Sequence, residues 1–581
     1  MSAHFKNFTT VVYIPAWIQR DLTREKLEKD YDFIEKYIGL DKVYLETHRG
    51  GIDIEEEKLL MIKDFLQSRG VTVSGGITTT IDDFEGAENG KRRLFNTFCY
   101  TDPAMREKLR QISEYTARIF DEVILDDFYF TNCTCERCIK EKGSRSWEQF
   151  RHGLMMDVSK NLVVGPAKAA NPNVKMVIKY PNWRESFHFT GYVPESQGDI
   201  FNATYIGTET RSPMYTDQHL PEYLSYSLVR FMENAWPGRC GGGWFDTYQC
   251  YSTDRYQEQM YLTAFAKAKE LMFFQWGDLI DNPYVCAMGL QIGKIDKMMD
   301  KTGKPCGIPV YIPHASSGEN HLEMRLGMLG LPVEPVPYFP ATAEKLLLTE
   351  SALADKSIVD SLAAYVERGG DAVITTGFFK GAGEELRRNG ITEASLSGGF
   401  VNASRYQVTG DQAGNINECA AVVFPELVHG NNASWSLLNA GDGDEHSSIF
   451  LRSAYGKGRL YIMAVPEHGS DICKMPEAAV DVLKRALLSG VNDTYISGKG
   501  ISMFTYDDGS IILYRYVKND ACPMSVRMHT SKKVKALKDA GSGREIPVHE
   551  VMVFEDFERR VEYVADVITR PGEFNMYRWE E

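Results

Sequence analysis

The sequence predicts an α/β protein in which a (β/α)8 barrel is followed by a doubly wound α/β domain and a small C-terminal β-sandwich. Three observations predict this. Eight short apolar runs alternate with amphipathic helix-length segments over the first three hundred residues, the texture changes after KTGKPCG, and the tail is made of alternating β-formers broken by turns. A chain of 581 residues exceeds the size of one core. The expected domains are 1–302, 303–495 and 496–581.

The eight expected strands are VVYIPAW (11–17), KVYLET (42–47), VTVSGGIT (71–78), EVILDDFYF (122–130), KMVIKY (175–180), IFNATYI (200–206), GGGWFDTY (241–248) and LMFFQW (271–276). Segments such as TREKLEKDYDFIEKYI and DPAMREKLRQISEYTARIF lie between most of them and supply the crossover helices of a closed parallel barrel. In the second block, IPVYIPHAS leads to SIVDSLAAYVERGGDAVITTG, a helix that stops at Gly369-Gly370 and feeds an apolar strand. No GxGxxG follows the block's first strand, so no dinucleotide or other organic cofactor is expected. The last block, with ISMFTYDDGSIILYRYV and its DDGS and GSG turns, reads as antiparallel hairpins.

Composition narrows the partners. Net charge is −15, from 65 basic and 80 acidic residues, which argues against nucleic acid and against an anionic membrane surface. The N-terminus shows no signal-peptide pattern and no apolar run is long enough to span a bilayer, so a soluble cytoplasmic protein is expected. Eleven cysteines, thinly spread except for one group, fit a reducing compartment better than a disulfide framework.

That group is Cys133, Cys135 and Cys138, a Cys-x-Cys-x-x-Cys run behind the fourth strand, with Cys99 as a fourth thiolate. Such spacing suits a tetrahedral structural Zn2+ with no position left for water; free thiols are the alternative. The strand itself ends in Asp126 and Asp127. In an extended strand adjacent side chains point to opposite faces, so only one of them is expected to enter the barrel mouth. Asp127 is assigned as general acid/base, with the charge of Asp126 disfavouring its ionisation.

Other strand ends carry further polar and aromatic residues. Asp246, after three glycines, is the first candidate nucleophile, a turn-forming Asp being the alternative. Glu209 is its rival: with Asp127 it would make an α-glycosidase pair, and otherwise Glu209 and Arg211 hold sugar hydroxyls or form an ion pair. Glu46, His48 and Arg49 suit hydroxyl or carboxylate recognition. Trp17, Tyr180, Trp183, Trp244 and Trp276 could stack on a pyranose face.

The first three hundred residues resemble glycoside hydrolase family 42, the zinc-containing β-galactosidases. The likeness is carried by FCYTDPAMREK around Cys99, by DDFYFTNCTCERCIKEKG with the later WEQFRHGL, and by YLTAFAKAKELMFFQWGD, which is similar to a last barrel strand ending in Phe-Gln-Trp. The resemblance implies an amidotransferase-like, flavodoxin-type second domain used in trimer contacts, then a small β domain, and hence a homo-oligomer, dimer or trimer. It also implies an acid/base at Asp127 and a nucleophile at Asp246. The family has Asn-Glu and Glu at these places, and an Asp is one methylene shorter, so the sugar must sit differently. The expected activity is exo-acting, retaining hydrolysis of oligosaccharides or small glycosides. A catalytically silent carbohydrate-binding relative is the alternative from another class.

Overall fold

The computed structural model of the protein describes residues 3–82, 94–409, 419–430, 433–443, 446–491, 493–517, 522–555 and 558–581. The chain separates into two compact units, residues 1–220 with 224–300 and residues 301–581 with 221–223.

The first unit is a closed ring of eight parallel strands: β1 (Thr9–Ile14), β2 (Lys42–Arg49), β3 (Thr72–Ile77), β4 (Glu122–Leu125), β5 (Lys175–Tyr180), β6 (Ala203–Gly207), β7 (Cys240–Asp246) and β8 (Glu270–Phe274). The ring closes because β1 pairs with both of its neighbours, Val11 lying opposite Lys42 on β2 and Met272 on β8. This is the barrel the alternating pattern implies. Its strands are buried on both faces, as parallel strands wrapped by helices must be.

Period-two alternation decides which residues fill the interior. Val11 and Tyr13, Tyr44, Ile124, Val177, Ala203 and Tyr205, Trp244 and Met272 form the inner core. At the strands' N-terminal end, Lys42 reaches Glu122 at 2.5 Å and Glu270 at 2.8 Å. Toward the other end, Tyr13, Trp244 and Phe274 pack ring to ring, with centroids 4.7 Å apart for Tyr13 and Trp244 and 5.1 Å for Trp244 and Phe274. Glycine is required where this layer is tight: a Cβ on Gly76 would meet the Tyr13 hydroxyl at 2.5 Å. The glycines before Asp246 serve packing in the same way, since a Cβ on Gly243 would lie 2.4 Å from Thr263 of the helix Thr253–Phe265.

Five strands stop earlier than the sequence suggests, β3 at Ile77 and β7 at Asp246 by only one and two residues. β1 ends at Ile14, and Pro15 caps the short helix Ala16–Asp21, which carries Trp17. β8 ends at Phe274, and Trp276 opens the short helix Trp276–Leu279. β4 ends at Leu125, and the chain turns at once, with the Tyr129 amide donating to the Asp126 carbonyl at 3.0 Å.

In the second unit, five parallel strands lie in the order Val333–Val336, Ile308–Tyr311, Lys345–Leu348, Asp371–Thr375 and Gly458–Met463. The sheet continues through antiparallel strands Ser447–Tyr455, Val422–Val428 and Ser395–Ala403, an extension the sequence pattern did not signal. The remainder is β-rich, with antiparallel sheets of six and four strands among the described residues. Also among the described residues, no helix is long and apolar enough to cross a membrane.

Candidate active site

The C-terminal ends of the barrel strands surround a cavity of about 500 Å³. Asp126, Asp127, Glu209 and Asp246 all line it, together with Arg49, Lys179 and Arg211. Because β4 ends at Leu125, strand alternation no longer governs the two aspartates. Both face the cavity, contrary to the expectation that only one would.

The charges are arranged around three cations. Arg49 donates through Nε to both oxygens of Glu46, at 2.9 and 3.1 Å, and through Nη2 to Asp126 Oδ2 at 2.5 Å. Its guanidinium also packs near Trp17 and Phe128, at 5.2 and 5.1 Å from the ring centroids. Arg211 grips Asp246 as a fork, with Nε to Oδ1 at 3.0 Å and Nη2 to Oδ2 at 2.8 Å. Such bidentate pairs are strong and directional.

Between them lies Lys179, with a side chain only 2% exposed. Its Nζ donates to Asp127 Oδ2 at 2.7 Å and to Glu209 Oε1 at 3.1 Å, lies 3.6 Å from Asp126 Oδ1, and sits 4.2 Å from the centroid of the Trp244 ring. The other oxygen of Glu209, Oε2, is buried with no hydrogen-bond partner among the described residues. Asp127 is fixed through its backbone, whose carbonyl accepts from the Tyr192 hydroxyl at 2.6 Å and whose amide donates to Asp126 Oδ1 at 2.7 Å.

These surroundings separate the acidities. Burial pushes the Asp127 carboxyl up to about 8; Lys179 opposes that shift, while the charges of Asp126 and Glu209 add to it. Burial also raises Glu209, against Lys179 and with Asp246. For Asp126, burial works against ionisation, but Lys179 and Arg49 outweigh it and hold the carboxyl down to about 2. The site thus holds carboxyl groups on both sides of neutrality, the requirement for acid and base chemistry in one pocket.

Aromatic walls complete the cavity. Trp17, Trp183, Trp244, Phe128 and Phe274 line it. Trp183 keeps a buried indole N–H with no partner among the described residues.

Four residues expected to touch substrate do not line this cavity. Tyr180 has the outward parity of β5, is fully buried, and donates its hydroxyl to Gln197 at 3.1 Å within a cluster with Phe187 and Tyr192. Trp276 lies beyond the end of β8, fully buried, its indole N–H donating to Asp30 at 3.1 Å. Glu46 points inward but lies beneath Arg49, its oxygens taken by Arg49, by the Tyr13 hydroxyl at 2.9 Å and by the Ala16 amide at 2.8 Å. It pairs with Arg49 and does not line the cavity. His48 is likewise occupied, by Asp53 at 2.7 Å and the Thr80 carbonyl. Replacing Trp276 by Ala should therefore cost about 3–5 kcal/mol of stability in a denaturant titration, with KM unchanged in the folded fraction. A sugar-stacking ring would show the opposite pattern.

Beside the cavity, Cys99, Cys133, Cys135 and Cys138 converge, with all four sulfurs within 4.8 Å of one another. Cys99 Sγ lies 3.7 Å from those of Cys133 and Cys138 and 3.8 Å from that of Cys135. Such a cluster could hold a metal ion. Cys133 stands in the loop that follows the Asp126 turn, and Cys138 on the helix Glu136–Lys142.

Residues 1–291 match the family described as "Probable glycosyl hydrolase, catalytic domain", and residues 303–468 match "Uncharacterized protein SSO3021, second domain". The uncharacterized protein SSO3021 of Saccharolobus solfataricus is 28% identical over 395 residues, a stretch that makes up 61% of this chain and 64% of that relative. The match therefore spans less than two thirds of the relative's length. In fold, the chain is similar to α-L-fucosidase isoenzyme 2 from Paenibacillus thiaminolyticus, with a TM-score of 0.68, 12% identity, and 98% and 99% of the two chains covered. It is similar also to a β-galactosidase from Bacillus circulans sp. alkalophilus, with a TM-score of 0.65, 11% identity, and 99% and 100% covered. The E323A catalytic mutant of Gan42B, a GH42 β-galactosidase from G. stearothermophilus, gives a TM-score of 0.63 at 11% identity, with 99% of each chain covered. At these identities the likeness is one of fold.

Proposed function

This chain belongs to the family of probable glycosyl hydrolase catalytic domains over residues 1–291, and on that premise we propose that it cleaves oligosaccharides or small glycosides with retention, using Asp127 and Glu209 as its carboxyl pair. The observation that carries this reading is that Asp127 Oδ2 and Glu209 Oε1 are hydrogen-bonded to the same ammonium, that of Lys179. Two oxygens on one such donor are less than about 6 Å apart, near the ~5–5.5 Å of retaining enzymes and short of the ~6.5–9.5 Å that inversion needs for an intervening water.

In the first step the protonated Asp127 gives its proton to the glycosidic oxygen while the Glu209 carboxylate attacks the anomeric carbon. The C–O bond to the leaving alcohol breaks and an ester to Glu209 forms. Asp127, now ionised, takes a proton from water, the water oxygen attacks the same carbon, and the ester bond returns its electrons to Glu209. Asp246, first in line as nucleophile on sequence grounds, has both oxygens in the Arg211 fork. We assign Asp246 with Arg211, and Asp126 with Arg49, to sugar hydroxyls.

A second reading exchanges the roles of the pair, as in the α-glycosidase arrangement of a β4 nucleophile with a β6 acid. The unpartnered Glu209 Oε2, a place where a proton could sit, favours it. Azide rescue of Asp127→Gly and Glu209→Gly on an aryl-glycoside panel separates the two. Rescue of the nucleophile variant yields an azide of inverted configuration and rescue of the acid/base variant one of retained configuration. No turnover by the wild type across α- and β-glycosides, with sugar binding intact, would remove the hydrolase reading.

We further assign structural zinc to the four thiolates. A tetrahedron with Zn–S of about 2.3 Å has S–S edges of about 3.8 Å, and the Cys99 sulfur lies 3.7–3.8 Å from the other three. Bound there, the ion would cross-link the loop that carries Asp127 to the start of the helix Pro103–Ile119. Cys135→Ser should lose stoichiometric zinc by elemental analysis and lower the thermal midpoint. The protein as purified carrying no zinc, or an unchanged midpoint, would count against the assignment.

A further inference from the structure

We propose that Lys179 is a positioning residue that keeps one proton, and only one, on the Asp127–Glu209 pair, so that its charge sets the pH range in which the site works. The inference rests on the reading of that pair as the catalytic carboxyls and goes beyond it by naming the group that divides their labour.

The charges buried around Lys179 set how many protons the pair holds. The groups facing Lys179 are Asp126 and Asp127 from the turn after β4, Glu209 from the segment after β6, and the ring of Trp244 on β7. Around these, the other two cations are committed. Arg49 is held by Glu46 and Asp126, and Arg211 by both oxygens of Asp246. Lys179 is thus the cation left for Asp127 and Glu209 together. With both ionised, the pair buries one uncompensated negative charge, which is costly in a site so little exposed to water. With both protonated, the ammonium keeps only Asp126, 3.6 Å away and already bonded to Arg49. A single proton on the pair leaves Lys179 one carboxylate at hydrogen-bonding distance, and this state supplies one ionised and one protonated carboxyl at the same moment. The upward shifts of Asp127 and Glu209, each opposed by Lys179, agree with that account.

The ammonium is also held in place. Its stem is buried in the strand at an inward position, and its charge lies 4.2 Å from the centroid of the Trp244 ring, a favourable cation–π distance. An ammonium kept in that position cannot follow one carboxylate and desert the other.

The test uses the full chain with Lys179→Met, Lys179→Gln and Lys179→Arg. The first reading is the pH dependence of kcat/KM on an aryl glycoside that the wild type hydrolyses. The second is an infrared difference titration of the carboxyl groups, assigned with Asp127→Asn and Glu209→Gln, which needs no substrate. In Lys179→Met both limbs of the pH profile, and both carboxyl midpoints, are expected to move upward by about one unit or more, with activity partly recovered at alkaline pH. Lys179→Gln, which keeps a polar donor but carries no charge, should behave alike, and it decides the matter if the Met variant does not fold. Lys179→Arg should keep the midpoints near those of the wild type while turnover falls. Unchanged midpoints in the neutral variants, with a uniformly lower rate, would overturn the proposal. If no glycoside is turned over, the hydrolase reading fails while the infrared titration still decides the role of Lys179.

Discussion

Glu209→Gln should lower turnover by on the order of 10⁴-fold or more on every glycoside, whatever its leaving group. A nucleophile is needed for the first step even when the leaving alcohol needs no proton, so an activated aryl glycoside cannot compensate. The change is nearly isosteric, so circular dichroism should stay close to that of the wild type. The variant carries a second signature. Without the Glu209 charge, Lys179 compensates Asp127 alone, and Asp127 should ionise at lower pH than in the wild type. Stopped-flow measurement with a dinitrophenyl glycoside checks the first expectation. A burst of released phenol at wild-type rate would show that the covalent step does not run through Glu209. Under that outcome Asp246, bonded through both oxygens to Arg211, becomes the carboxylate to test next.

The barrel could be read from the sequence because its signal is long-range and redundant. Eight apolar runs interleaved with helices admit few arrangements other than a ring of parallel strands. The strand ends could not, because local hydrogen bonds decide them. Asp126 accepts the amide of Asp127 and, through its carbonyl, that of Tyr129. This turn puts both aspartates on the cavity, where an extended strand would have divided them. The antiparallel strands between 395 and 455 were missed for another reason: their alternation is imperfect, with bulges such as that between Leu396 and Phe400.

The residues around the cavity show the same division. Lys179 was overlooked although KMVIKY contains its signal. Val177 faces inward, so Lys179 does also and Tyr180 does not. A lysine at an inward position of a buried parallel strand needs carboxylate partners, and strand parity alone would have exchanged Tyr180 for Lys179 among the candidates. Trp276 illustrates the limit of reading aromatics at strand ends. One residue of chain beyond the strand moved its ring from the cavity to Asp30 in the surrounding helices. The cysteines were legible because thiolates at such short spacing have few reasons to gather, and the four sulfurs do meet.

Asp127→Asn separates the acid's work from the nucleophile's. With poor leaving groups the rate should fall by about 10²–10⁴-fold, the usual range for a lost general acid. With dinitrophenyl glycosides the first step should stay near wild type, while release of the glycosyl-enzyme slows and azide restores it. The pH dependence provides an independent check. In the wild type the Asp127 proton is held until about 8, so kcat/KM falls as pH rises through that value, and the variant should lack this limb. Stability should follow the same group. Asp127 is raised from 3.8, so between that value and about 8 the folded chain binds a proton that the unfolded chain has lost. Its contribution is complete at acidic pH and is lost as pH rises through the folded-state value. Asparagine does not titrate, so the unfolding midpoint of the variant relative to wild type should improve between about pH 5 and about pH 9. A difference independent of pH would mean that Asp127 is ionised throughout that range, and the acid/base role would pass to Glu209.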